Sequence, residues 1–171
     1  MTGRILVGSH DGVYVLLFEG DVRLTLCAAV DGYLEKMFHD EKFKSVVVDL
    51  SRTDSIDSTS LGVLAKLSIQ AAKLFDYTPT LVSTSRDITR ILLSMGFEDV
   101  FHIVEEPLQH AGQLGELPPV QASHDNLRQR VIDAHRTLMA MNEGNRQTFQ
   151  DLVATLEAES AAPTNQRLAS L

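Results

Sequence analysis

The stretch from Ser45 to Ser68 changes its hydrophobic period part-way along, and no other feature constrains the fold as much. Val46-Val47-Val48-Asp49-Leu50 is a short β-branched apolar run of the kind that forms a buried strand. A connection of mostly small and polar residues comes after it. From Leu61 the apolar and small positions fall at Leu61, Leu64, Ala65, Ser68, Ala71, Ala72 and Phe75, the spacing of one helix face. Asp57 and Ser58 therefore stand where a strand has ended and a helix begins. Both suit an N-cap, because a short side-chain oxygen accepts from the free N–H groups of a first helical turn. Those N–H groups and the helix dipole favour negative charge by roughly 0.3–1 kcal/mol. A hydroxyl there can take up a phosphate without melting its own helix, adding about −1.5 to −2 charge to the surface around it.

The flanking sequence reads as further strands and helices. Residues 3–7 and 13–18 are two apolar, β-rich runs, and Asp11-Gly12 between them is a hairpin signal. Gly20 is expected to break the second strand. Helical spacing then links Leu24, Cys27, Val30, Tyr33, Leu34 and Met37. Pro79 stops any helix before it, Thr80 to Ser83 reads as a strand, and Ser83-Thr84-Ser85 offers an N-cap. The helix through Ile88, Ile91, Leu92 and Met95 closes at Gly96, and Phe101 to Val104 is a last short strand. Alternation of this kind requires crossover connections, so the expected class is α/β, a mixed sheet with helices packed on it.

Residues 112–122 read as a linker, since two glycines and the pair Pro118-Pro119 discourage regular structure. Residues 123–160 read as a C-terminal helical extension. Its apolar stripe runs through Leu127, Val131, Ala134, Leu138 and Met141, with Thr148, Leu152 and Thr155 continuing it more weakly. Gly144 is either tolerated inside one long helix at about 1 kcal/mol or turns the chain between two; one helix with a weak point is expected. The stripe has no core of its own, so it packs on the main domain, on a second copy in a homodimer through residues 123–159, or on a partner. Residues 161–171 are polar and are expected to form a disordered tail.

In Val46-Val47-Val48-Asp49-Leu50, then a polar connection, then Ile56-Asp57-Ser58-Thr59-Ser60-Leu61-Gly62-Val63-Leu64, the chain resembles the STAS domain of anti-sigma factor antagonists. The resemblance covers roughly residues 3–110. It implies a small mixed sheet covered by helices over residues 1–111, and it carries the family's phosphorylated serine onto Ser58. Thr59 and Ser60 are neighbouring hydroxyls that compete for that assignment, and Ser60 stands where the family often has glycine. Asp57 is expected to cap the helix or shape the acceptor site, and Gly62 to let helix pack closely on sheet. Phe18-Glu19-Gly20-Asp21-Val22 looks like the family's Gly-acidic-apolar turn, which adds Gly20, Asp21 and Arg23 to the implied partner-binding surface with Asp57, Ser58, Thr59 and Ser60. Arg23 departs from the family, which often has an acidic residue there. It is either a solvated arginine or, if it faces Ser58, a partner for an added phosphate.

What the resemblance implies is a partner switch. Unphosphorylated, the domain sequesters an anti-sigma factor or switch serine kinase and so frees a sigma factor; phosphorylated, it lets go; and a PP2C-type phosphatase resets it. The rival from another class is a scaffold or dimeric subunit of a signalling assembly whose Ser58 is never modified.

Composition closes off other classes. A formal charge of −8 argues against general binding to nucleic acid or an anionic membrane, which needs clustered Lys and Arg. No apolar run reaches the ~18 residues needed to cross a bilayer, and the single cysteine, Cys27, allows no internal disulfide. A cytoplasmic protein with Cys27 in the core is expected. The histidines His10, His39, His102, His110, His124 and His135 show no metal-ligand spacing. Neither Ser58 nor Ser60 sits in a Gly-x-Ser-x-Gly elbow, and there is no phosphate-binding glycine loop. No cofactor, no metal and no catalysis are expected.

Overall fold

A valine-rich strand becomes fully buried only when neighbours flank it, and in the computed structural model, which describes residues 2–107 and 113–161, β3 (Ser45–Ile56) has them on both sides. It runs parallel to β2 (Val13–Val22) and to β4 (Thr80–Val82). The antiparallel β1 (Arg4–His10) lies outside β2, and the parallel β5 (His102–Val104) outside β4. The residues of β3 that alternate inward, Val46, Val48 and Leu50, join one hydrophobic core with Leu16 and Phe18 of β2. Helices α1 (Cys27–Phe38), α2 (Ser58–Phe75) and α3 (Arg86–Ser94) supply Val30, Leu34, Leu64, Leu67, Ile88 and Leu92 to the same core. The α/β class, with a mixed sheet covered by helices, is therefore as expected from the alternation of strands and helices.

The Asp11-Gly12 signal forms the expected hairpin. Both residues have positive φ, 50° and 82°, which suits the twist of the paired strands, and His10 pairs with Val13 across the turn. The Gly12 carbonyl accepts from Lys44 N at 2.8 Å, tying the hairpin to the start of β3.

Several elements differ from expectation. Gly20 does not end β2: it takes φ 76° at an irregularity in the β2–β3 ladder, and pairing continues to Val22 opposite Ile56. For the same reason β3 does not stop at Leu50. Its polar second half pairs with the end of β2, where Thr53 Oγ1 donates to the Phe18 carbonyl at 3.0 Å and Ser55 Oγ donates to Asp21 at 2.8 Å. The segment read as a structureless linker contains a sixth strand, β6 (Gly115–Glu116), antiparallel to β1, and Leu117 N donates to the Ile5 carbonyl. Two residues at an edge suffice for pairing, and the prolines fall just beyond them. The sheet order is β5-β4-β3-β2-β1-β6.

The C-terminal region is two helices rather than one, α4 (His124–Met141) and α5 (Glu143–Ala161). The chain turns at Asn142, whose backbone is extended and whose Oδ1 accepts from Asn145 N at 2.8 Å. That asparagine, and not Gly144, ends the first helix, because its side chain caps the second. The helices run antiparallel, with Arg136 donating to Glu157 and the rings of His135 and Phe149 in edge contact at 4.8 Å. The break resets the helical phase. Asn145, Phe149 and Val153 are buried in α5, while Thr148, Leu152 and Thr155 point outward. In α4 the buried residues are Ile132, Ala134, His135 and Leu138. Of the expected tail over 161–171, Ala161 is the last residue of α5 and the rest lies outside the described residues, as does residue 112 at the head of the linker.

A Cβ added at Gly12 would lie 1.8 Å from the Lys42 carbonyl oxygen, on top of its unfavourable φ. Gly12→Ala is accordingly expected to lower the unfolding free energy by more than ~1 kcal/mol. The midpoint of urea denaturation measures this, and an unshifted midpoint contradicts it.

Candidate functional site

The start of α2 is fixed by Asp57. Its backbone is extended, its Oδ1 accepts from Ser60 N at 2.8 Å, and its carbonyl accepts from Leu61 N, so Asp57 is the N-cap and Ser58 the first residue of the helix. Asp57 Oδ2 accepts from Leu24 N at 2.8 Å, at the single 3-10 turn Leu24–Leu26 that precedes α1. One carboxylate thus holds the starts of two helices together, and the Asp57 N–H is tied to the Val22 carbonyl at the end of β2.

The three adjacent hydroxyls have different surroundings. Thr59 and Ser60 are each 4 % exposed, and Ser60 Oγ lies 3.8 Å from the thiol of buried Cys27. Burial pushes that thiol up to about 12, so it is inert at neutral pH. Ser58 is half-buried, and its Oγ lies 2.8 Å from His135 Nε2. His135 is itself 1 % exposed, and its Nδ1 lies 2.7 Å from the Val131 carbonyl. A carbonyl only accepts, so Nδ1 donates to Val131, and Nε2 and the Ser58 hydroxyl share the second hydrogen bond of the ring.

The residues singled out in the sequence divide into two groups. Asp57, Ser58, Thr59 and Ser60 form the first turn of α2 with its cap. Gly20 and Asp21 lie on the adjoining end of β2, where Asp21 pairs with Ser55 in the ladder two residues before Asp57. The hydrogen bond from Ser55 holds the Asp21 carboxyl below the usual carboxylate range, and the charge of Arg23 acts in the same direction. Arg23 is exposed and lines a cleft with Asp21, Thr25, Leu26 and Leu117. The structure places its charge near Asp21, and the hydrogen-bond partner of Ser58 is His135. Gly62 also differs from expectation: a Cβ there would meet the Ala134 carbonyl oxygen at 2.4 Å, so the close approach is of α4 on α2 and not of helix on sheet.

His135 is the site residue that sequence reasoning missed, because a histidine without metal-ligand spacing gives no functional signal of its own. Its signal is positional: it lies four residues after Val131 and three before Leu138, on the stripe itself. Among the described residues no group of three or more His, Cys, Asp or Glu is placed to hold a metal ion, and no helix is long and apolar enough to cross a membrane.

Comparison with known proteins places the fold. The family model for the STAS domain matches residues 4–109. The anti-sigma factor antagonist SpoIIAA in its unphosphorylated form is similar in structure at a TM-score of 0.50 and 10 % identity, over 61 % of this chain and 89 % of that one. An anti-sigma factor antagonist from Mycobacterium paratuberculosis is similar at a TM-score of 0.51 and 24 % identity, over 60 % of this chain and 85 % of that one. No curated protein sequence matches.

Asp57→Ala removes the cap and the bond to Leu24 together. A loss of about 1–3 kcal/mol is expected, since a helix cap is removed and the part-buried Leu24 donor is left unmet. Urea unfolding at constant slope measures it, and a loss below about 0.5 kcal/mol contradicts the central role of this carboxylate.

Proposed function

The chain belongs to the STAS domain family, and on that premise we propose that it is an anti-sigma factor antagonist whose partner choice is set by phosphorylation of Ser58. In this reading the protein is a cytoplasmic regulator and not an enzyme. With Ser58 unmodified it binds an anti-sigma factor or a switch serine kinase through the first turn of α2 and the adjoining end of β2. The two similar solved structures reported above are anti-sigma factor antagonists.

The observation that carries the reading is the contrast among three neighbouring hydroxyls at one helix start. Ser58 is half-buried at the first helical position, whereas Thr59 and Ser60 are closed into the protein. A phosphate on Ser58 meets the N–H groups and positive dipole end of α2, so the domain keeps its fold while the contact surface changes sign. A partner that lacks a cation opposite this point must desolvate the phosphate, and binding falls. A PP2C-type phosphatase returns the surface to its binding form. Gly20 and Asp21 lie on the strand beside the turn and complete the contact face with Asp57, while Arg23 extends it toward Asp21.

The chain co-expressed with its switch kinase is expected to carry one phosphate, mapped to Ser58 by peptide fragmentation and lost in Ser58→Ala. In pull-downs the Ser58→Ala chain is expected to retain the anti-sigma factor or kinase, and the phosphorylated chain to release it. A phosphate mapped elsewhere, or equal retention by both forms, contradicts the proposal.

A further inference from the structure

The α4–α5 hairpin is seated on α2 and reaches the face that this reading assigns to the partner at Ser58. Four contacts hold it there. His135 takes the Ser58 hydroxyl. The Ala134 backbone fills the space left by the missing side chain of Gly62. The Met95 carbonyl at the end of α3 accepts from both Asn142 and Asn145 of the hairpin turn, at 3.2 and 2.9 Å. Arg130 pairs with Asp31 of α1.

From these contacts we infer that the hairpin is an intramolecular competitor, which closes Ser58 and the first turn of α2 when docked and must swing away before the serine is modified or a partner binds. The inference rests on the proposed role of Ser58, and it adds a second gate to it. The steric argument is direct. Ser58 Oγ and His135 Nε2 are already at hydrogen-bonding distance, so with the Ser58 side chain in this rotamer a phosphoryl group on that oxygen meets the imidazole. Helix α4 lies directly against α2 at Gly62, so a group that pushes it outward at Ser58 also opens that close crossing. Once phosphorylated, Ser58 therefore holds the hairpin off.

The contact layer mixes polar with apolar groups. It contains two buried polar side chains, His135 and Asn145, among Ala134, Ile132 and Leu138. On release both polar side chains are hydrated, which offsets part of the cost of their lost hydrogen bonds. Residues 113–123 connect the hairpin to the sheet, and the only regular structure among them is the two-residue β6. The released hairpin stays tethered and competes at a high effective concentration, so a partner must displace a neighbour that never diffuses away.

Hydrogen exchange of the full chain tests the inference without any kinase or partner. Phosphoserine is installed at position 58 during translation, and Gly62→Ala is made separately. Alanine is the better helix former, but its Cβ falls 2.4–2.6 Å from Ala134 atoms, so it evicts α4 without altering Ser58. In both chains the amides of α4, α5 and the first turn of α2 are expected to exchange about tenfold faster or more, while β2 and β3 stay protected. Unchanged protection of α4 and α5 in the phosphoserine chain overturns the inference, whatever the behaviour of Gly62→Ala. Should Gly62→Ala also lose protection in β2 and β3, the phosphoserine chain alone decides. Because no binding partner enters the measurement, its failure is separable from a failure of the switch itself.

Discussion

Asp57 makes two hydrogen bonds on which the geometry of the whole site depends. One oxygen caps α2 and the other receives the amide of Leu24 at the approach to α1. Without that carboxylate α1 and α2 lose their common anchor. The first turn of α2 then frays, since its N–H groups have no partner inside the helix. The backbone of Asp57 is in turn held by the end of β2, which reaches that far only because the irregularity at Gly20 keeps β2 and β3 paired through their polar second halves. The position of Ser58 is thus fixed by strand, cap and helix together, and side-chain chemistry at the site is set up by backbone geometry.

The features legible in the sequence are those that a local pattern decides alone. The alternation of Val46, Val48 and Leu50, the Asp11-Gly12 turn and the glycine after α3 each have one low-energy arrangement, and the structure has it. Expectation and structure part where a distant partner overrides a local preference. Ser51 to Ser55 looks like a loop by composition, yet it is strand, because the end of β2 and its side chains satisfy it. Gly144 has the composition of a weak point in a long helix, but the helix ends at Asn142, where a side chain caps α5. His135 is invisible as a site residue because its partner lies 77 positions away in the chain. No periodicity within α4 could announce which face of the main domain it would meet.

The docked hairpin also accounts for the apolar stripe that has no obvious cover in the sequence. Leu138 and Phe149 belong to the same hydrophobic cluster as the sheet and α2, and Arg136 and Glu157 clasp the two helices on the outside. The stripe is therefore satisfied within one chain. A helix that meets α2 at Gly62 has to bring a small residue to the crossing, as α4 does with Ala134.

The margins of the sheet carry a consequence for how such molecules coexist at high concentration. One margin ends in a strand of three residues, His102–Val104, and the other in one of two residues, Gly115–Glu116. Outermost strands so short offer a foreign strand few free backbone groups of their own to pair with.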